Sequence, residues 1–116
     1  MIEVKKNKHN WPKPPACLTN IRLAEPPNGI IISVAGLVLV RQKPRTANGA
    51  VFITLEDETG TANIIVWKNI FKKYRKAIIE SRLLRVTGKL QRDGDICHII
   101  AQHIEDISYM LDEILN

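Results

Sequence analysis

The fold of this chain is decided by residues 30–67, which read IIISVAGLVLVRQKPRTANGAVFITLEDETGTANIIVW. The first part, Ile30 to Val40, is rich in Ile and Val and therefore predicts a long strand. Gly36 in its middle predicts a bulge or a sharp bend, as in a strand shared between two halves of a small barrel. The proline and the Asn-Gly pair within residues 43–49 predict a loop.

The second part of the stretch predicts a hairpin followed by a helix. Ala50 to Glu56 and Thr61 to Trp67 have strand character and are separated by only four residues. Those four residues include two acids, which we interpret as turn residues rather than metal ligands, because Asp bonds to its own backbone in turns. The apolar spacing then becomes helical, with basic residues in between, at Ile70, Phe71, Tyr74, Ala77 and Ile78.

The remaining residues predict two more strands and a last helix. Leu83 to Gln91 and Ile96 to Ala101 read as strands, joined by a turn at residues 92–95 that contains an Asp-Gly signal. Apolar residues from Ile107 to Leu115 recur at helical spacing. This order predicts an all-β, five-stranded Greek-key barrel, the OB-fold, with a helix between strands three and four and a short C-terminal helix.

Length and composition indicate one domain. The chain has 116 residues, and its basic, proline-containing residues 1–29 predict a leader or linker before a domain at 30–116. We find neither a signal peptide nor an apolar run near the roughly 20 residues of a membrane helix, and we expect a cytoplasmic protein. Cys17 and Cys97 alone make neither a disulfide framework nor a zinc site, and we expect no metal and no cofactor.

The charge is distributed unevenly along the chain. The formal net charge is +5, but residues 41–92 carry twelve basic and four acidic residues. Residues 93–116 carry six acids and no Lys or Arg. A strongly positive middle attracts polyanions, whereas the acidic end argues against wrapping of DNA by the whole surface.

Strand alternation sorts the side chains into a core set and an outer set. The outer set puts Phe52, Trp67, Arg85 and Lys89 on the outside of adjacent strands. Because rings stack on bases and cations meet phosphates, this face predicts binding of single-stranded nucleic acid. For Phe52 we favour the binding face, whereas core packing of Trp67 is an equal alternative. The core set is apolar throughout: Val51, Ile53, Leu55, Ala62, Ile64, Val66, Leu84, Val86, Gly88 and Leu90.

More cations are predicted at the edge of this face. Arg41, Lys43 and Arg45 are assigned to the first loop, which borders the binding groove of an OB-fold, and are predicted to contact phosphates. Arg92 completes the predicted nucleic-acid-binding set. We interpret His98 as a strand residue with a satisfied hydrogen bond. No nucleophile, base and orienting group come together, so no catalytic residue is predicted.

Several runs of sequence resemble the C-terminal OB-fold of bacterial error-prone DNA polymerases, relatives of the replicative polymerase III alpha subunit. The resemblance covers residues 30–111 and implies a nucleic-acid-binding module of a family C polymerase, active in translesion synthesis, DNA replication and repair. A full polymerase of that family is far longer, and its catalytic aspartates have no counterpart here, so the chain should not polymerise DNA alone. The runs are VAGLVLVRQKP (34–44), FITLEDETG (52–60), ANIIVW (62–67), LRVTGKLQR (84–92), HIIA (98–101) and EDIS (105–108).

Two other functions stay open beside single-stranded DNA binding. In a protein-interaction module, the barrel face or the acidic C-terminal helix would dock on another replication or repair protein. In an anticodon-type module, the barrel would bind RNA, because the hairpin motif is shared with anticodon-binding domains of class II aminoacyl-tRNA synthetases. Glu56 stands where those synthetases usually carry arginine.

Overall fold

The computed structural model describes residues 17–115, and five strands of this part of the chain form a closed barrel. The elements are β1 (Ile31–Gln42), β2 (Val51–Asp57), β3 (Gly60–Val66), α1 (Lys68–Lys73), α2 (Arg75–Glu80), β4 (Leu83–Asp93), β5 (Ile96–Asp106) and α3 (Met110–Leu115), with 3-10 turns at Asn20–Ala24 and Arg45–Ala47. The strand order in the barrel is β1-β2-β3-β5-β4, helices α1 and α2 lie between β3 and β4, and α3 follows β5. The predicted OB-fold, with its helical connection after the third strand and its short C-terminal helix, is confirmed.

Strand β1 is shared between two halves of the barrel, as its internal glycine predicted. Residues 31–37 pair with β4 and residues 37–42 pair with β2, so Leu37 has a partner on both sides. A Cβ added at Gly36 would lie 2.6 Å from the carbonyl oxygen of Glu56, so the crossing leaves no room for a side chain. A bulge between Val38 and Val40 then shifts the register, which inverts the alternate residues of β1 that face the core.

The barrel interior is filled by the ten residues that strand alternation assigned to it, all of which are buried. Val34 from β1 and Ile99 from β5 join them, and Ile78 from α2 closes one side of the same cluster. A second, smaller apolar cluster of Ala35, Leu83 and Ile107 packs against residues of α3. Apolar burial on both sides therefore holds β1 and β4 between the barrel core and α3.

The predicted helix after β3 is interrupted. Tyr74 leaves helical geometry, with φ −113° and ψ 25°, and separates α1 from α2. Its hydroxyl lies 2.8 Å from Nδ1 of His103 on β5, which ties the interruption to the barrel. Within residues 17–115, no helix is both long and apolar enough to cross a membrane.

Part of the predicted leader packs on the barrel. Leu23 is 8% exposed and belongs to the main core, and the backbone N–H of Asn20 donates to Oδ2 of Asp57 at 2.8 Å. Oδ1 of Asp57 accepts from the backbone N–H groups of Thr59 and Gly60, which confirms its interpretation as a turn residue. Packing on the barrel therefore begins ahead of the domain start predicted at residue 30, and residues 1–16 of the predicted leader lie outside the described residues.

Candidate nucleic-acid interface

The outer face of the barrel carries one row of residues that runs across all five strands. The backbone register pairs Gln42 with Phe52, Phe52 with Ile65, Ile65 with Ile100, and Ile100 with Lys89. Neighbouring strands lie about 4.8 Å apart, so Phe52 and Lys89 are separated by about 14 Å along the surface. The row therefore places an aromatic ring, aliphatic side chains and a cation on one continuous strip.

A second row lies beside the first and is mostly polar. Thr54 pairs with Asn63, Asn63 with His98, and His98 with Gln91. Between the two rows runs a groove of about 190 Å³. No Asp, Glu, Lys or Arg lines this groove, and the side chains that face it from the two rows are Gln42, Phe52, Thr54, Asn63, Ile65 and His98.

Both predicted aromatic residues are accessible. Phe52 is 37% exposed within β2, in the predicted outward orientation. Trp67 is 48% exposed, so its indole is not a core residue. It lies one residue beyond the end of β3, at the N-cap of α1, rather than within the strand as predicted. Phe52 therefore lies in the groove, whereas Trp67 lies where β3 passes into α1.

Cations surround the same end of the barrel, at residues 43–50 and the start of α1. Nζ of Lys43 lies 4.8 Å from the centroid of the Phe71 ring, and Arg45 is exposed in the 3-10 turn. Lys68 lies across the loop, since a Cβ added at Gly49 would meet its aliphatic stem at 3.1 Å. Lys43, Arg45 and Lys68, which we call the basic rim, therefore border the groove at its Gln42 and Phe52 side.

The position of Arg41 differs from the predicted position in the first loop. It lies in β1 rather than in the first loop, and after the bulge it pairs with the core residue Ile53. Its Nε donates to the carbonyl of Ile78 at 2.6 Å, and its Nη2 donates to the carbonyl of Ser81. These carbonyls lie at the C-terminal end of α2, where intrahelical donors run out. Arg41 is an exposed residue, but its guanidinium is bonded to the protein's own carbonyl groups.

We expected Arg85 and Lys89 to lie on a strand adjacent to those that carry Phe52 and Trp67, and this expectation is wrong. Both lie on β4, and β5 separates β4 from β3. Lys89 still belongs to the first row through Ile100. Arg85 pairs with Glu105 in the register, and its Nη1 lies 3.3 Å from Oε1 of that residue. Its charge is therefore partnered away from the groove.

Arg92 fastens the N-terminal segment to β4. Its Nη2 donates to the carbonyl of Leu23 at 3.3 Å and to that of Pro26 at 2.5 Å. Its backbone N–H donates to Oδ1 of Asn28 at 2.7 Å. Beside it, burial raises the pKa of the Cys97 thiol, and the positive charge of Arg92 partly opposes that shift.

Sequence reasoning missed most of the groove's polar residues. Thr54 and Asn63 alternate with the buried residues of β2 and β3, but neither was predicted as a site residue, because neither is aromatic or charged. His98 lies in β5 as predicted, but within residues 17–115 no hydrogen bond satisfies its ring, contrary to expectation. Gln42 could not be placed by alternation, because the bulge in β1 inverts the pattern. The signal that could have indicated them is the pairing of neutral polar side chains across neighbouring strands.

The comparisons agree with this architecture. A family model described as OB-fold nucleic acid binding domain matches residues 32–107. The error-prone DNA polymerase 1 of Rhizobium meliloti (strain 1021) is 54% identical over 89 residues, which are 77% of this chain and 8% of that protein. The error-prone DNA polymerase of Ruegeria pomeroyi is 53% identical over 83 residues, which are 72% of this chain and 8% of that protein. The matched part of the chain thus spans about a twelfth of the length of these relatives.

Among solved structures, asparaginyl-tRNA synthetase from Pyrococcus horikoshii superposes with a TM-score of 0.58 at 22% identity, over 69% of this chain and 20% of that one. At that identity the likeness shows the fold alone. The family model covers about two thirds of the chain, and its match falls on the closed barrel described above. The chain therefore belongs to the OB-fold nucleic acid binding domain family, and its sequence is similar to a small domain of error-prone DNA polymerases.

Proposed function

We propose that the domain binds single-stranded DNA across the two outer rows. The observation that carries this proposal is the uncharged groove with Phe52 in it, bordered by the basic rim. Bases would stack on the Phe52 ring and lie on the aliphatic surface of Ile65 and Ile100. Phosphates would meet Lys43, Arg45 and Lys68 on one side of the groove and Lys89 on the other. Stacking and backbone neutralisation together are the usual basis of single-strand binding.

The proposed set of DNA-contacting residues differs from the set predicted from the sequence. Phe52, Trp67, Lys43, Arg45 and Lys89 keep their proposed contacts with DNA, and Lys68 joins them. Each of the other three, Arg41, Arg85 and Arg92, has its guanidinium bonded to protein oxygens. Recruiting them to phosphates would break those bonds, so we propose that they support the fold instead.

We further propose that the domain serves translesion synthesis and DNA repair in the cytoplasm, as part of or beside an error-prone DNA polymerase. The sequence identity of 54% to a stretch of 89 residues of such a polymerase supports this role. The domain would hold the single-stranded template, because the proposed groove binds single-stranded DNA. The sequence predicts no catalytic residue, so we assign no chemical step to the domain. Chemistry would belong to other parts of the relatives' far longer chains.

Titration of short single-stranded oligonucleotides at several salt concentrations tests the proposal. Affinity should fall with salt, with a log–log slope of roughly −0.7 for each phosphate neutralised. The double variant Lys43→Ala/Arg45→Ala should make that slope shallower by about 1.4. Arg75→Ala/Lys76→Ala removes the same charge from exposed positions of α2 and should change the slope much less.

Absence of binding even at low salt would refute DNA binding and favour a second candidate, a protein-interaction module. The observation behind that candidate is an apolar concavity of about 500 Å³ beside the start of β1. Ile30 and Ile31, which line it, are 43% and 51% exposed. Tighter binding of RNA than of DNA with the same sequence would instead favour the anticodon-type function.

A further inference from the structure

The groove between the two rows differs chemically from the basic rim beside it. Its polar groups are the amides of Gln42 and Asn63, the hydroxyl of Thr54 and the imidazole of His98. A phosphate placed there would meet no cation, whereas the edge of a base would meet both donors and acceptors. The groove is therefore suited to a nucleobase rather than to the sugar-phosphate backbone.

The amide groups of the groove are available to a ligand. The hydroxyl of Thr54 lies 3.5 Å from Oδ1 of Asn63, at the outer limit of a hydrogen bond. Within residues 17–115, no other hydrogen bond engages the Asn63 amide, and none engages the side chain of Gln42. Asn63 is exposed, and its position is fixed by strand pairing with Thr54 on one side and His98 on the other. An available amide at a fixed backbone position can distinguish one base from another.

Resting on the DNA binding proposed above, we propose that this groove recognises a single nucleobase by the edge that carries N7 in purines, and therefore prefers adenine. An amide presents one donor beside one acceptor, which matches N6–H and N7 of adenine. On the same edge guanine presents two acceptors, cytosine only its amino donor and thymine only its O4 acceptor, so none of these bases pairs with both groups of the amide. The groove holds neither a cation nor a carboxylate. Phe52 would stack on the face of the base whose edge Asn63 binds.

Homopolymers of equal length and charge test the preference. At one salt concentration, fluorescence anisotropy should show that a labelled 12-nucleotide dA oligomer binds roughly 5- to 150-fold more tightly than dC, the range expected for one bidentate pair. The same oligomer built from 7-deazaadenine keeps its charge and its stacking surface but lacks N7. It should lose most of the advantage of adenine over cytosine.

Substitution of Asn63 connects the preference to the groove. Asn63→Leu should bring the affinities for dA and dC close together, and Asn63→Asp should shift the preference toward dC, because a carboxylate accepts from the cytosine amino group. Asn69→Asp makes the same charge change at an exposed position of α1 and should leave the ratio unchanged. Melting curves check that each variant is folded.

The outcomes separate the two proposals. Equal affinity for dA, dC and 7-deazaadenine oligomers, with binding still sensitive to salt, would overturn the adenine preference and leave DNA binding in place. An adenine preference that survives in Asn63→Leu would overturn the role of this groove in selecting the base. Failure to bind any oligomer at low salt would overturn the proposed function, and the inference with it.

Discussion

Replacing Phe52 with leucine separates the stacking role of the ring from its contribution to folding. The Phe52 side chain is 37% exposed, so the groove leaves part of the ring open to a base. Leucine keeps a branched apolar side chain between Gln42 and Ile65 but removes the flat π surface. One base stacked on an aromatic ring contributes about 1–3 kcal/mol. Phe52→Leu should therefore weaken binding of single-stranded DNA by roughly 5- to 150-fold.

The same substitution should cost little stability, less than about 1.5 kcal/mol, because Phe52 lies outside the barrel core and leucine keeps part of its apolar contact. Anisotropy titration at fixed salt measures binding, and urea unfolding measures stability. Tyr109→Leu, which removes an aromatic ring that is 62% exposed and does not line the groove, is the matched control and should bind DNA more tightly than Phe52→Leu. If Phe52→Leu remains folded and binds within about twofold of the parent, the ring does not stack on bases and this face is not the binding face.

Three further substitutions test other parts of the structure. Asp57→Ala should lower the free energy of unfolding by at least about 2 kcal/mol, because a charged acceptor for the Asn20 and Gly60 amides is lost; the exposed neighbour Glu58→Ala should change it by less than about 0.5 kcal/mol. Arg41→Met should cost about 1–3 kcal/mol through its lost bonds to the end of α2, and a shallower salt slope of DNA binding would contradict its placement. Because burial raises the pKa of Cys97, the stability that the neutral thiol provides should be present below the thiol's unfolded pKa and decline as pH rises through the folded value. Urea unfolding in alkaline buffer should therefore show a decline in the free energy of unfolding that the Cys97→Ser variant lacks. Identical pH profiles for the parent and this variant would refute the expectation.

Local periodicity was sufficient to predict the element order and the core, because side chains of a strand alternate strictly between two faces. Neighbour relations were harder, since β5 lies between β3 and β4 although it follows both in sequence. This is why Arg85 was expected close to Phe52. Because of the inserted residue at the bulge in β1, the exposed Arg41 pairs with the core residue Ile53, and Gln42 pairs with Phe52 of the outer face. A one-residue insertion of this kind leaves no clear mark in an Ile- and Val-rich run.

Arginines and lysines have different surroundings in and around the groove, with the exposed Arg45 of the basic rim as the exception. Arg41 and Arg92 each bind two backbone carbonyls, a task that suits the planar, multi-donor guanidinium. Lysine is a compact charge on a flexible stem, and Lys43, Lys68 and Lys89 lie at the borders of the groove. Such charges can follow phosphates in many positions and carry no information about the base. The fixed neutral amides of the groove would supply that information.

This division has a consequence for salt. Counterion release depends on the number of phosphates neutralised, which is the same for any oligomer of one length. Hydrogen bonds between a neutral amide and a base edge release no counterions. Raising the salt concentration should therefore weaken binding of dA and dC oligomers by the same factor and leave the ratio of their affinities constant. Anisotropy titrations of both oligomers at three or more salt concentrations measure this ratio. A ratio that collapses toward one as salt rises would mean that cations, and not the groove amides, distinguish the bases.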